Sequence, residues 1–294
     1  MDPRTESTPG DTLVVTGLGC LHDETCDVTP WLVVRKNRKF MGLQDVLAVT
    51  AAGRALAAAG LAATTFGEKI GLYLTVGYIP FEQADIDGLM EASTVDGKFS
   101  LAGFFSHGFQ TANPLLTFRC LCNMPAYHVS FNFDIRGAYV VTYPDIGQWY
   151  AALETACLDL RAGRVEVALV GGVAHQRNYL VEHHHARLTP PVAPEQLHND
   201  AGFIVLERGA TARKRGAKIL FSLLEMQTEY ASRAPFAGAT AGHLSEASMG
   251  ASNPAAPVLA LARSLTGGEM AGGRYRHEFS TREGVRGWSE WELA

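Results

Sequence analysis

The sequence predicts an α/β protein in which sheets lie between layers of helices. Short, almost continuously apolar segments recur along the chain, and such segments are typical of strands buried in a parallel sheet. Segments with apolar residues at positions i, i+3, i+4 and i+7, typical of amphipathic helices, alternate with them. Residues 139–172 carry a strand, a helix and a second strand in direct succession. This alternation favours a layered α/β fold.

The first part of the chain begins with polar residues 1–11, which predict a disordered lead-in. Apolar runs and Ala- and Leu-rich stretches then predict a series of elements. These are a strand at 12–19, a helix at 43–61, a strand at 69–77, helical structure near 82–92, and loop with short turns at 104–114.

The central unit is the best defined part of the sequence. Residues 139–143 predict a strand, and the apolar spacing from Ile146 onward predicts a helix that Gly163 ends. Residues 165–172 predict a second buried strand. Asp145 stands where a helix N-cap belongs, and capping is its commoner role, although a carboxylate there could also act as a nucleophile or base.

The remainder of the chain mixes irregular segments with further elements. Prolines predict an irregular region at 173–200. The predicted elements after it are a strand at 201–209, a long strand at 217–230 forming an antiparallel hairpin with it, a helix at 253–265, and strands in the tail 274–293.

Composition excludes several classes of function. The chain has 294 residues, a net charge of −5 and a pI near 6.1, which do not favour nucleic acid or an anionic membrane as partners. The basic cluster at 35–39 is interpreted as a solvated loop, with docking of an acidic partner as the alternative. The five cysteines are an odd number, which favours reduced thiols. No segment reads as a signal peptide or membrane span, so we expect a cytoplasmic protein.

No motif in the sequence predicts a cofactor or a metal. The glycines of residues 16–19 begin a dinucleotide-binding pattern, but His22 stands where its third glycine should be. The run His183–His185 is interpreted as an exposed polar loop rather than a set of metal ligands. The polar segment 198–202 is interpreted as a turn before a strand.

Seven segments, in order along the chain, resemble the β-ketoacyl synthases of the thiolase fold. They are 14–21 (VVTGLGCL), 39–61, 69–77, 123–141 (beginning NMPAYHV), 151–173, 199–219 and 242–265. The resemblance implies a thiolase-like layered α-β-α fold with a truncated second half. It also implies one domain over 12–294, with the N-terminal half (12–200) complete and the C-terminal half (201–294) shortened.

The resemblance also shows what the chain has lost. Counted from Gly137, the position of the family's nucleophilic cysteine falls on Ile146, which has no nucleophilic atom. The family's first active-site histidine has no counterpart, and the lysine before the second one falls on Gly238. His243 is the only family histidine that remains, and we interpret it as a structural relic. We therefore expect no catalytic residue.

A scaffold of this kind without its nucleophile resembles the inactive partner subunit, or chain-length factor, of type II polyketide systems. The resemblance implies a heterodimer with an active, Cys-bearing ketosynthase, formed near residues 137–143, and acyl carrier protein as a further partner. The pocket and interface candidates are Tyr139, Val141, Tyr143, Ile146, Trp149 and Tyr150. Two alternatives stay open: an enzyme of altered chemistry, a hydrolase or dehydratase using Asp145 or His243, and a stand-alone acyl-binding homodimer.

Overall fold

A computed structural model describes residues 12–61, 67–230, 253–267, 273–281 and 284–294. Ten strands lie within these ranges: β1 Leu13–His22, β2 Ile70–Val76, β3 Thr94–Val95, β4 Lys98–Phe99, β5 Tyr139–Thr142, β6 Val167–His175, β7 Asn199–Arg208, β8 Phe221–Tyr230, β9 Arg274–Ser280 and β10 Val285–Leu293. The predicted lead-in 1–11 lies outside the described residues.

Ten α-helices lie within the same ranges. They are α1 Leu43–Ala58, α2 Gln83–Ala92, α3 Leu101–Gly103, α4 Phe109–Thr111, α5 Leu116–Cys120, α6 Met124–Phe133, α7 Ile146–Arg161, α8 Tyr179–Ala186, α9 Gly209–Lys214 and α10 Ala256–Gly267. Short 3₁₀ helices occupy Thr29–Trp31, Arg35–Phe40 and Pro194–Gln196, and a π-helical turn occupies Phe104–Gly108.

Eight strands form one sheet in the order β5-β2-β6-β7-β1-β8-β10-β9. β2 pairs in parallel with β5 and with β6, whereas β7 pairs antiparallel with both β6 and β1. The strands β1, β2, β5 and β6 therefore run in the same direction. Their carboxyl ends lie side by side along one end of the strands, and we call this line of strand ends the carboxyl edge. It differs from the outer side of the edge strand β5. β3 and β4 form a separate two-stranded ribbon.

Helices cover both faces of the sheet. Along β6, Val167 and Leu169 pack into a core with α1 and α6, whereas Ala168 and Val170 pack into a second core with α7 and α10. This alternation follows from the two-residue period of a strand. The strand is apolar on both sides because helices cover both faces, which confirms the layered α/β prediction.

Four of the predicted local structures are wrong. The strand at 221–230 does not form a hairpin with β7, because it pairs with β1 and β10 instead. The region 173–200 contains the helix α8. Residues 104–111 are continuously helical where loop with short turns was expected. The basic cluster 35–39 lies in a 3₁₀ helix rather than in a loop.

Candidate functional site

The start of α7 is the place where the family resemblance predicts a nucleophile. Three residues connect Thr142, the end of β5, to Ile146, the start of α7. The Asp145 carboxylate accepts a hydrogen bond from the backbone N–H of Gly147, which confirms the predicted N-cap. This carboxylate accepts a hydrogen bond from the helix. The alternative, in which Asp145 acts as a nucleophile or base, needs a carboxylate that is not engaged in this way.

Ile146 is 4% exposed and belongs to the core between the sheet, α7 and α10. Its aliphatic side chain offers no atom that could carry a thioester-linked acyl group. At the N-terminus of α7 the helix dipole would favour an anion, but no thiol or hydroxyl of residue 146 is present to become one. The structure thus places an apolar packing residue where covalent chemistry would be expected.

Trp149 and Tyr150 lie behind Ile146 and are completely buried. The Tyr150 ring stacks on Phe279 with 4.3 Å between the ring centroids. The Tyr150 hydroxyl hydrogen-bonds to Nδ1 of His277 at 2.7 Å and to Oγ of Ser289 at 2.8 Å. These side chains therefore belong to the same buried core as Ile146.

Burial also sets the titration behaviour of this network. It raises the pKa of the Tyr150 hydroxyl well above its usual value, and it lowers the pKa of His277 to about 4. Both groups are therefore neutral at pH 7. A neutral, buried tyrosine–histidine pair is a packing feature here, since it lies in the core and not at an accessible surface.

The other three predicted residues lie on or beside β5, at one edge of the large sheet. Tyr139 is 48% exposed and Tyr143 is 51% exposed, while Val141 is half-buried. β5 pairs only with β2 among the strands that the structure describes. Within the described residues no strand pairs with the outer side of β5, so a strand from another chain can add there. The six predicted residues thus separate into a buried group and an edge group.

A second exposed feature lies in the segment that leads to β5. Its large apolar side chains are between 41% and 70% exposed, and we call them the aromatic face: Phe99, Leu101, Phe105, Phe109, Phe118, Leu121, Tyr127 and Phe131. Exposed apolar side chains concentrated in this way are typical of interaction surfaces.

Two of the described cysteines, Cys20 and Cys157, do not supply a reactive thiolate. Burial raises the pKa of Cys20 to about 12, and it does the same for Cys157, which lies farther along α7 than Ile146. Both are therefore thiols at neutral pH, and a thiol is a poor nucleophile. Among the described residues no cysteine stands at the start of α7. His243 and Gly238 lie outside the described residues.

The run His183–His185 is helical, not a loop. Asn178 caps α8, and the helical period of four places Val181 and His185 on its buried face. His183 and His184 are exposed. Because the three rings point in different directions around the helix, they do not converge on one ion.

The structure brings together polar residues that sequence reasoning did not connect. His22 and Asp23 follow at the end of β1, and His198 and Asp200 lie at the start of β7, all at the carboxyl edge. Nδ1 of His22 lies 2.8 Å from Oδ1 of Asp200, and Nδ1 of His198 lies 2.7 Å from Oδ2 of Asp23. The only signal in the sequence was a cluster of polar residues beside each of two apolar strands.

None of the described helices has the length and apolar character needed to cross a membrane.

Comparisons with known proteins give the fold a family context. The family model described as "Beta-ketoacyl synthase, N-terminal domain" matches residues 8–191. No curated protein matches the sequence. The fold is thiolase-like, as the resemblance predicted, and at 294 residues the chain is shorter than full ketosynthases.

Three solved structures illustrate the likeness, and each match covers 96% of this chain and 99% of the solved chain. One is AntDE:AntF, a type II PKS acyl-carrier protein in complex with its ketosynthase bound to the hexaketide, with 15% identity and a TM-score of 0.67. The second is the ishigamide ketosynthase/chain length factor, with 18% identity and a TM-score of 0.67. The third is a β-ketoacyl synthase from Burkholderia phymatum STM815, with 14% identity and a TM-score of 0.64.

Proposed function

This chain belongs to the β-ketoacyl synthase family, and we propose that it serves there as a non-catalytic subunit of the chain-length-factor type. It pairs with an active, Cys-bearing ketosynthase and shapes the pocket for a polyketide or fatty acyl chain carried on acyl carrier protein. The observation that carries this proposal is Ile146, a buried aliphatic side chain at the start of α7.

Condensation requires a thiolate to take the acyl group and donors to stabilise developing negative charge. Ile146 supplies no thiolate, and burial keeps Cys20 and Cys157 protonated. Asp145 is engaged in capping α7, which argues against a hydrolase or dehydratase that uses its carboxylate as a base. The chain therefore contributes by binding rather than by reacting.

Pairing with a second subunit is supported by the open edge of β5 and by the aromatic face. A strand edge gains a row of main-chain hydrogen bonds when another strand adds to it. The aromatic face supplies apolar area, and removing such area from water favours association. Tyr139 and Tyr143, half exposed on or beside this edge, would then contact the partner.

The division of the six candidate residues suggests how the chain limits a pocket. Ile146, Trp149 and Tyr150 fill the space that a pocket of its own would need. Tyr139, Val141 and Tyr143 stand at the edge toward the partner. We infer that the chain forms one wall of the ketosynthase's acyl pocket through these edge residues. Among structures of the same fold are a ketosynthase/chain length factor and a ketosynthase complex with an acyl-carrier protein, which supports this assembly.

The test is co-expression with a full-length, Cys-bearing ketosynthase from the same organism, followed by size-exclusion chromatography and analysis of the subunit composition. We expect a one-to-one complex. Phe105→Asp and Tyr139→Asp each place a carboxylate in the proposed contact, and we expect each to raise the dissociation constant at least about tenfold. Leu158→Asp is the matched control, because Leu158 is 55% exposed on α7, outside the aromatic face.

Two outcomes would overturn the proposal. A stable homodimer that takes up no ketosynthase would favour a stand-alone acyl-binding protein. Thioester hydrolysis or dehydration by the purified chain alone would favour an enzyme of altered chemistry. If Leu158→Asp weakened the complex as much as Phe105→Asp, the aromatic face would not be the contact.

A further inference from the structure

The cluster at the carboxyl end of β1 contains two histidine–aspartate pairs side by side. The rings of His22 and His198 lie 4.7 Å apart between their centroids. One nitrogen or oxygen atom from each of His22, Asp23 and His198 lies within 4.8 Å of the other two. Two imidazoles and one carboxylate are a donor set that zinc takes in open sites, where water completes the coordination.

One ring nitrogen of His22 is engaged by a buried group. Its Nδ1 is engaged by the buried carboxylate of Asp200, whose side chain is 3% exposed. The other oxygen of Asp200 accepts a hydrogen bond from Nδ2 of Asn253 at 2.6 Å. When Nδ1 of His22 donates to Asp200, the lone pair of Nε2 is the one that a ligand can use. Carboxylates that orient metal-binding histidines in this way raise their metal affinity.

His198 and Asp23 form the second part of the set. Their Nδ1 and Oδ2 atoms, 2.7 Å apart, converge on one shared proton. The other Asp23 oxygen accepts the backbone N–H of Asn199 at 2.9 Å, so the carboxylate is fixed from the far side. A divalent cation can take the place of the shared proton, since metal ligands must be deprotonated and binding releases protons.

The charges around the cluster favour a cation. Asp23 and Asp200 carry two negative charges when ionised. The guanidinium of Arg177, whose Nη2 lies 2.9 Å from Oδ2 of Asp23, offsets one of them and must leave that oxygen when a metal binds to it. Arg54 and Glu24, next along the same loop, form an ion pair of their own. Two carboxylates face one guanidinium in the cluster, so the fixed charges attract a cation rather than a free anion.

We propose that His22, Asp23 and His198 form a zinc-binding site, with Asp200 as the positioning residue for His22. Zinc–ligand bonds of about 2.0–2.2 Å place tetrahedral ligand atoms roughly 3.3–3.6 Å apart. Nδ1 of His198 and Oδ2 of Asp23, now 2.7 Å apart, must therefore separate when a metal enters between them, while His22, within 4.8 Å, must approach. His22 can supply that movement because its side chain is 57% exposed. Imidazole ligands favour zinc, nickel and copper, whereas magnesium prefers an all-oxygen set. The site is independent of the proposed subunit function, since it uses neither β5 nor the aromatic face.

The test is isothermal titration calorimetry of the purified protein with Zn²⁺ at pH 7.5, in two buffers of different ionisation enthalpy. We expect one Zn²⁺ per chain, a proton release visible as a buffer-dependent heat, and no comparable binding of Mg²⁺. His22→Ala and His198→Ala should each weaken Zn²⁺ binding at least about tenfold, and Asp200→Asn should weaken it about 10–100-fold.

His183→Ala is the matched control, because His183 is an exposed histidine on α8, outside the cluster. Thermal unfolding without metal shows that each variant folds. The proposal is overturned if His22→Ala and His198→Ala bind Zn²⁺ as tightly as the unmodified protein. It is also overturned if His183→Ala loses as much affinity as they do, since binding would then be a general property of surface histidines.

Discussion

Tyr150→Phe distinguishes a filled core behind Ile146 from an acyl pocket at the same place. The substitution removes one oxygen and leaves the ring stacked on Phe279. In a pocket filled by water, the hydroxyl would be dispensable. In the buried network, Nδ1 of His277 loses its 2.7 Å partner, and its Nε2 has no hydrogen-bond partner among the described residues. Ser289 keeps the hydrogen bond that it accepts from Nε1 of Trp291 at 2.8 Å.

The loss in the free energy of unfolding caused by Tyr150→Phe follows from the hydrogen bonds that are lost and kept. One buried imidazole is left without a partner, which destabilises a protein by about 1–3 kcal/mol, and Ser289 adds little because it remains paired. With a urea dependence of about 3 kcal/mol per molar, a loss of ~2 kcal/mol lowers the unfolding midpoint by roughly 0.7 M. Urea unfolding followed by tryptophan fluorescence measures this shift.

Tyr230→Phe is the control, since Tyr230 is 69% exposed and its hydroxyl should be dispensable to within about 0.5 kcal/mol. If Tyr150→Phe unfolds at the midpoint of the unmodified protein, the network is not a buried core and the argument for a filled pocket fails. If both variants shift equally, the loss has no connection with burial.

Two further predictions concern the helix layer that contains α1 and α6. Burial lowers the pKa of His128 to about 4, so the unfolded chain takes up its proton as pH falls below ~6.5 while the folded protein does not. The stability difference between His128→Leu and the unmodified protein should therefore move in favour of the variant by about 2–3 kcal/mol between pH 7 and 4.5, measured by urea unfolding; a constant difference would contradict this. Gly19→Ala should lower the melting temperature by several degrees, because its Cβ would collide with the Ala51 carbonyl oxygen of α1, whereas Gly88→Ala meets open space and should not.

Local structure was predictable where the sequence itself carries the signal. The apolar run of β6 and the helical period of α7 are repeated over many residues, and their positions agree with the structure to within a few residues. The N-cap Asp145 follows from the chemistry of a helix start. By contrast, the sequence did not predict α8. The prolines of the region 173–200 follow this helix, and three consecutive histidines gave no sign that Val181 and His185 are buried.

Strand partners were not predictable by the same means. β7 and β8 read as a hairpin because they are adjacent in sequence, yet both pair antiparallel with β1, which lies between them. They consequently run parallel to each other, and the connection containing α9 must cross from one side of β1 to the other. Pairing depends on contacts between residues far apart in sequence, and no local pattern encodes them. For the same reason His22 and Asp200, separated by 178 positions, could not be joined from the sequence.

The carboxyl edge of the sheet offers more than one place for functional side chains. The ends of β1, β2, β5 and β6 all meet there, and loops at such an edge present side chains without disturbing the core. At the end of β5, Ile146 is part of the core, and its side chain at the start of α7 has no nucleophilic atom. At the β1 end, two histidine–aspartate pairs stand at the surface, supported by the buried carboxylate of Asp200. Because these groups are attached to different strands, the loss of the first places no constraint on the second. A metal site at β1 can therefore be tested while the subunit at β5 remains intact.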